Sequence, residues 1–198
     1  LNDGTASTEA DVTVTSDTIY VTNTTDTATI DLSNGVSFSE AVAIAAADVT
    51  DSQTLILSNS FNGLMTLAGT LNINENLSIN ADSAGGLNLS GSTITLGNGI
   101  TLNFTNSTGT VSIASTLAGA GSLSKSGSGT LQLSNMDNLA SMSGAVAIAA
   151  GTLTVAHGNQ LSSGAITMGG GAFVSWLASR ILSVETGAMP LLLVMLAC

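Results

Sequence analysis

The chain has 198 residues, and its capacity for acid–base chemistry is small: one histidine, two basic side chains and thirteen carboxylates. His157 directly follows the alternating text Leu153-Thr154-Val155, which places it in the turn after a strand. A histidine base needs a nucleophile presented to it, and no Gly-x-Ser-x-Gly elbow occurs, so His157 is read as an exposed turn residue. Ser122-x-x-Lys125 has the spacing of a serine–lysine nucleophile pair, but that pair works on a helix, where residues three apart are neighbours. Here it lies in strand text, where the two side chains point to opposite faces, so Lys125 is read as a polar residue of a repeat. Asp26, Asp31, Asp48, Asp51, Asp82 and Asp137 could give oxygen to calcium, yet neither an EF-hand loop nor a Gly-Gly-x-Gly-x-Asp repeat is present. Scattered solvated carboxylates are expected instead. No catalytic, cofactor-binding or metal-binding residue is assigned, and no cofactor is expected. The Thr-x-Thr pairs Thr13/Thr15, Thr22/Thr24, Thr93/Thr95 and Thr152/Thr154 invite a surface-binding or ice-binding reading, but that function needs such pairs on every successive coil, and these four leave the ladder broken between 95 and 152.

The charge balance narrows the partners. A net charge of −11 with only Lys125 and Arg180 as bases excludes nucleic-acid binding, which relies on Lys and Arg at phosphates. It also disfavours anionic membranes. Cys198 is the only cysteine, so no disulfide or cysteine metal site can form within one chain. Leu1 opens no basic and apolar leader, which suits a mature product or a fragment.

The positioning elements are short strands. Residues 1–34 alternate weakly at Val12/Val14, Ile19/Val21 and Ile30/Leu32, predicting two or three strands. A helix is predicted over 37–48, because Ser37 and Glu40 form a capping box and Phe38, Val42 and Ala45 share a face. From Thr54 the aliphatic beats recur. Ile56, Ile79, Leu102, Leu123, Val146 and Ile166 form one series; Thr66, Asn88, Ser112, Gln132 and Thr154 centre a second; Asn72 and Thr95 begin a third. Three interleaved series with a common period of about 22 residues predict an all-β parallel β-helix, three-sided, of five to six coils. Its interior should contain Leu55, Leu57, Leu67, Ile73, Ile79, Leu89, Leu102, Val111, Ile113, Leu131, Leu133, Val146, Ile148, Leu153 and Val155. The expected organisation is 1–53 for N-terminal strands and a capping helix, 54–172 for the repeats, and 173–198 for an atypical apolar tail.

Two stretches resemble known sequences. Leu123, Lys125, Gly127, Gly129, Thr130, Leu131 and Leu133, followed by Gly144, Ile148, Gly151, Thr152, Leu153 and Val155, resemble the passenger-associated repeat of bacterial autotransporters, with Met142 where that repeat carries an aromatic residue. Ser37-Phe38-Ser39-Glu40-Ala41-Val42 resembles the Ser-Leu-Arg-Glu-Ala-Ile helix that introduces many right-handed β-helices, with Ser39 at the arginine position. The resemblance implies a non-catalytic, secreted or surface-exposed passenger module of an adhesin. Such a module is presented at the bacterial outer membrane by a C-terminal membrane β-barrel absent from this sequence, and it contacts host or neighbouring-cell surface molecules or glycans. The alternatives are a β-helical polysaccharide lyase or hydrolase, for which Lys125 and Arg180 supply few of the bases that bind uronates, and an ice- or surface-binding solenoid.

The tail breaks the pattern. After Gly171 the turn residues thin out, and AFVSWLASRILSVETGAMPLLLVMLAC carries the only Trp, Pro, Arg and Cys. Phe173, Leu177, Ile181 and Val184 have helical spacing, predicting an amphipathic helix over 173–185 ended by Gly187 and Pro190. That segment is read either as a C-terminal cap or as foreign to the fold through truncation or a frame shift; the abrupt change in composition favours the second. Leu191–Cys198 is shorter than the ~20 residues of a membrane-spanning helix.

Overall fold

The computed structural model describes residues 18–23, 25, 33, 35–47, 53–57, 63–67, 70–82, 87–91, 93–134, 141–156, 162–176, 185–186 and 193–196. The expected strands at Val12/Val14 and Ile30/Leu32, together with His157, Arg180 and every aspartate named above except Asp82, lie outside that set.

The chain opens with β1 (Thr18–Val21) and α1 (Phe38–Ala45). The helix starts where its cap dictates: the Ser37 hydroxyl accepts from Glu40 N at 3.4 Å, and Glu40 Oε2 accepts from Ser37 N at 2.7 Å. Phe38, Ala41, Val42 and Ala45 are buried along one face, and α1 packs on β1. The helix is three residues shorter than the predicted 37–48, counting Ser37 as its cap and ending at Ala45.

Four three-stranded coils follow. They are β2 (Gln53–Leu57), β3 (Gly63–Leu67) and β4 (Leu71–Ile73); β5 (Leu77–Asn80), β6 (Leu87–Gly91) and β7 (Ile94–Leu96); β8 (Thr101–Phe104), β9 (Thr110–Ile113) and β10 (Leu117–Gly119); and β11 (Ser122–Lys125), β12 (Thr130–Leu133) and β13 (Ser141–Met142). The next rounds, as far as they are described, contain two strands each: β14 (Val146–Ile148) with β15 (Thr152–Val155), β16 (Ile166–Met168) with β17 (Ala172–Trp176), and β18 (Glu185–Thr186) with β19 (Leu193–Leu196).

Each strand pairs with its counterpart one coil away, always parallel, giving sheets in the orders β1-β2-β5-β8-β11-β14-β16-β18, β13-β10-β7-β4 and β19-β17-β15-β12-β9-β6-β3. The result is a parallel β-helix of about four turns with about 23 residues per coil, plus one helix. Among the described residues four coils carry all three strands, against the five to six coils expected.

Burial alternates with period 2 because each strand has one inward face, as in the buried–half-buried patterns of β8, β11, β12 and β15. Of the predicted interior, Leu55, Ile73, Ile79, Leu89, Leu102, Val111, Ile113, Leu131, Leu133, Val146, Ile148, Leu153 and Val155 are all buried; the side chains of Leu57 and Leu67 are outside the described set. Met142 is also interior, at 1 % exposure.

Three register assignments need correction. Ile56 is the partner of Asn80, and Leu55 is the residue stacked on Ile79. Ile79 in turn stacks on Phe104, while Leu102 stacks on Leu77. Thr66 pairs with Ser90, not with Asn88. The helix predicted from 173 is also overturned at its start. Ala172–Trp176 is strand β17, paired with β15 so that Phe173 stacks on Leu153, and Phe173 is buried. An open parallel edge offers a ladder to every backbone group of the segment, and this outweighs helical spacing supported by four apolar residues.

Candidate functional site

The chemistry-bearing residues collect at the corner that leads from the eight-stranded sheet into the seven-stranded one. This corner runs through Ala81–Asp82 in one coil, Thr105–Gly109 in the next and Ser126–Gly129 in the third. Asp82 Oδ1 accepts from Ser107 N at 2.6 Å, Thr108 N at 2.8 Å and Thr108 Oγ1 at 3.3 Å, so one carboxylate ties down the turn of the next coil. Ser128 passes the link onward by donating to Ser107 O at 2.8 Å. Asn106 is fully buried; its Nδ2 donates to Thr108 O at 3.2 Å and Thr130 O at 3.4 Å, while its Oδ1 is buried without a partner among the described residues.

Lys125 points into this corner. Its backbone lies in β11 opposite Phe104, an inward position, and the side chain is 1 % exposed. Nζ donates to Asn106 O at 3.1 Å and to Gly127 O, and Asn106 O also accepts from Gly129 N at 3.0 Å. Burial pushes the Lys125 pKa below its ordinary 10.5, and the nearby Asp82 carboxylate opposes that shift. An amine made less basic is the raw material of a nucleophile or a base. Here both carbonyl partners belong to the chain and the side chain has almost no solvent contact, so the geometry delivers a clamp between two coils.

Reading Lys125 as a polar repeat residue therefore missed its direction. The signal was available: Lys125 has the same parity as the inward Leu123. Ser122 does lie on the opposite, half-buried face, as the strand text required. Asp82 is committed to backbone groups, and among the described residues no three His, Cys, Asp or Glu side chains gather as a metal site.

The hydroxyl pairs look different in three dimensions than along the chain. Thr93 and Thr95 border and occupy β7, whereas Thr152 and Thr154 lie on β15, in another sheet. On the outer face of the seven-stranded sheet, Thr110, Thr130 and Thr152 are in register, and so are Ser112, Gln132 and Thr154. The sequence argument compared pairs on different faces and overlooked the Thr-x-Ser and Thr-x-Gln positions that continue the row.

No protein-family model, curated protein or solved structure matches the chain.

Proposed function

We propose that the chain is a non-catalytic β-helical passenger module of an autotransporter-type adhesin, displayed outside a bacterial cell and contacting host or neighbouring-cell surface molecules or glycans. The observation that carries this reading is the use made of the repeat residues. Leu123, Leu131, Leu133, Leu153 and Val155 fill the interior, Lys125 clamps two coils, and a side chain at Gly127 would run into Thr105 O and Asn106 O of the preceding coil. Every one of these residues serves coil-on-coil stacking, which is what a presenting shaft requires. The outward positions of β8, β9, β11 and β12 are Ser, Thr, Asn and Gln, suited to many weak polar contacts.

A second reading, a surface-binding solenoid, is favoured by the aligned rows Thr110–Thr130–Thr152 and Ser112–Gln132–Thr154. Four measurements separate these readings, one of them the growth of ice in a solution of the purified chain. Beads coated with the purified chain should bind bacterial or epithelial cells, with competition by soluble surface glycans. The reading frame downstream of Cys198 should encode alternating strands of a membrane barrel. Incubation with pectin, alginate and peptidoglycan fragments should release no unsaturated or reducing ends. Absence of both cell binding and the barrel overturns the adhesin; turnover of any polysaccharide moves the protein to the lyase or hydrolase class; arrest of ice growth without cell binding selects the solenoid surface.

A further inference from the structure

The corner between the four-stranded and the eight-stranded sheet varies in length from coil to coil. Two residues, Ala120 and Gly121, join β10 to β11, and three, Asn74, Glu75 and Asn76, join β4 to β5. Between β7 and β8 there are four, Gly97-Asn98-Gly99-Ile100, closed by a bond from Ile100 N to Gly97 O at 3.3 Å. Asn98 and Gly99 form the exposed tip of this turn, and Gly99 has a φ of +76° with nothing within 4 Å of where a Cβ would stand. Neither the Asn98 carboxamide nor the Gly99 N–H bonds to any described residue.

We infer that Asn98-Gly99 is a self-modification site, at which the folded protein deamidates to aspartyl and isoaspartyl forms. The reaction needs an asparagine carboxamide that can swing, a following amide nitrogen that is not bonded, and no side chain crowding that nitrogen; this tip supplies all three. The Gly99 nitrogen adds to Asn98 Cγ and gives up its proton, ammonia leaves, and a five-membered succinimide closes. Water then opens the ring. Attack at Cγ restores the ordinary backbone as aspartate, and attack at the main-chain carbonyl carbon leaves Gly99 attached through Cγ as isoaspartate. One water is consumed, one ammonia is released, and no oxidant or reductant takes part.

Three other described asparagines are tied into bonds by their side chains. Asn76 Oδ1 accepts from Thr101 N at 2.8 Å, Asn103 Oδ1 from Ser126 Oγ at 3.0 Å, and Asn106 is buried with its Nδ2 bonded twice. The change has consequences for the shaft. Each event adds a negative charge to a chain already at −11, and the isoaspartyl form lengthens the backbone inside the Gly97–Ile100 turn. A Cβ on Gly121 of the next coil would lie 2.6 Å from Gly97 O and 2.9 Å from Ile100 O, so the lengthened turn presses on the coil below.

The test incubates the full chain, folded and in concentrated urea, in mildly alkaline buffer. Peptide mapping with fragmentation that separates aspartate from isoaspartate then follows each asparagine. Residue 98 should convert in the folded chain at a rate within a few-fold of its rate in urea, whereas Asn76, Asn103 and Asn106 should be protected by folding far more. The Asn98→Gln chain should keep its melting temperature and show no conversion at 98. An Asn98 that stays an amide in the folded chain while converting in urea overturns the inference. So does folding protection at Asn98 equal to that at Asn103 and Asn106.

Discussion

The coils from Gln53 to Met142 and the rounds after Val146 are built on the same ladders but packed to different depths. In the first region three strands per coil enclose the core, and successive partners are 20 to 25 residues apart, as in Val111 to Leu131 and Ile79 to Phe104. In the second, Ile148 pairs with Met168 after 20 residues and Met168 with Thr186 after 18. Along the eight-stranded sheet the interior also loosens: Leu123 and Val146 are about 1 % exposed, Ile166 is 6 % exposed, and Met168 only packs against the cluster from a half-buried position, while Leu153 and Val155 on the seven-stranded sheet stay buried. Backbone pairing alone extends a solenoid, whereas the coils before Val146 add the side-chain stitching of Asp82, Asn106 and Lys125. The difference separates what continues the fold from what stabilises it.

A charge placed in each core measures the contrast most directly. Leu131, fully buried in the fourth coil, stacks between Val111 and Leu153. Leu131→Asp should cost several kcal/mol, since an unpaired carboxylate must be desolvated or protonated there. Phe173→Asp, at a 3 % exposed position in the later rounds, should cost clearly less. Urea midpoints of the two variants give the answer, and equal losses would mean that the rounds after Val146 are as tightly packed as the coils before them.

Deleting 173–198 tests whether the later rounds belong to the fold. Phe173 covers Leu153 in register, and its burial is worth about 2 kcal/mol. Removal should lower the melting temperature and leave the β15 ladder open, so association should rise with concentration in sedimentation. An unchanged melting temperature with better solubility would restore the reading of 173–198 as foreign to the fold.

Glycines compare the coil spacing on a finer scale. A methyl at Gly121 would meet Gly97 O and Leu96 Cβ, both at 2.6 Å, whereas at Gly169 the nearest atom is Ala149 Cα at 3.3 Å. Gly121→Ala should therefore lose about 1–3 kcal/mol and Gly169→Ala well under half of that. Thermal melts resolve the pair, and the reverse order would show that Gly169 is the more closely approached of the two positions.

Much of this was legible because the period is short and the turn residues are distinctive. Leu102, Leu123, Val146 and Ile166 were placed in true register from sequence, and so were Asn88, Ser112, Gln132 and Thr154. The errors fall where corners lengthen. Leu55 to Ile79 is 24 residues and Ile79 to Phe104 is 25, so steps of 23 slip by one and then two positions. A slip of two keeps the face, which is why Ile79 was still correctly placed inside; a slip of one reverses it, which is why Ile56 stood in for Leu55. The tail was misread because apolar spacing at 173, 177, 181 and 184 carries no information about an edge waiting to be paired. Lys125 was misread because a charge is not expected inside, although its parity with Leu123 said so.

The smallest expected effect isolates that lysine. Its pKa in the folded chain lies below 10.5, mainly from burial, while in the unfolded chain it returns to about 10.5. Between those two values the unfolded chain holds a proton that the folded chain has released, so unfolding takes up protons there. Stability from this group therefore rises with pH across that window, and it is flat below the folded pKa and above 10.5. Lys125→Met fills a similar volume and removes the titration, but it leaves Asn106 O without one donor and Gly127 O without its lysine donor. The variant should be within about 1–2 kcal/mol of the parent at neutral pH, because relief from desolvation and loss of the two bonds oppose each other. Urea midpoints of both chains, taken from neutral pH to 10.5, should show the parent gaining on the variant as pH climbs. A parent that instead loses stability over this range would mean that attraction to Asp82 outweighs burial and that the Lys125 pKa is raised by folding.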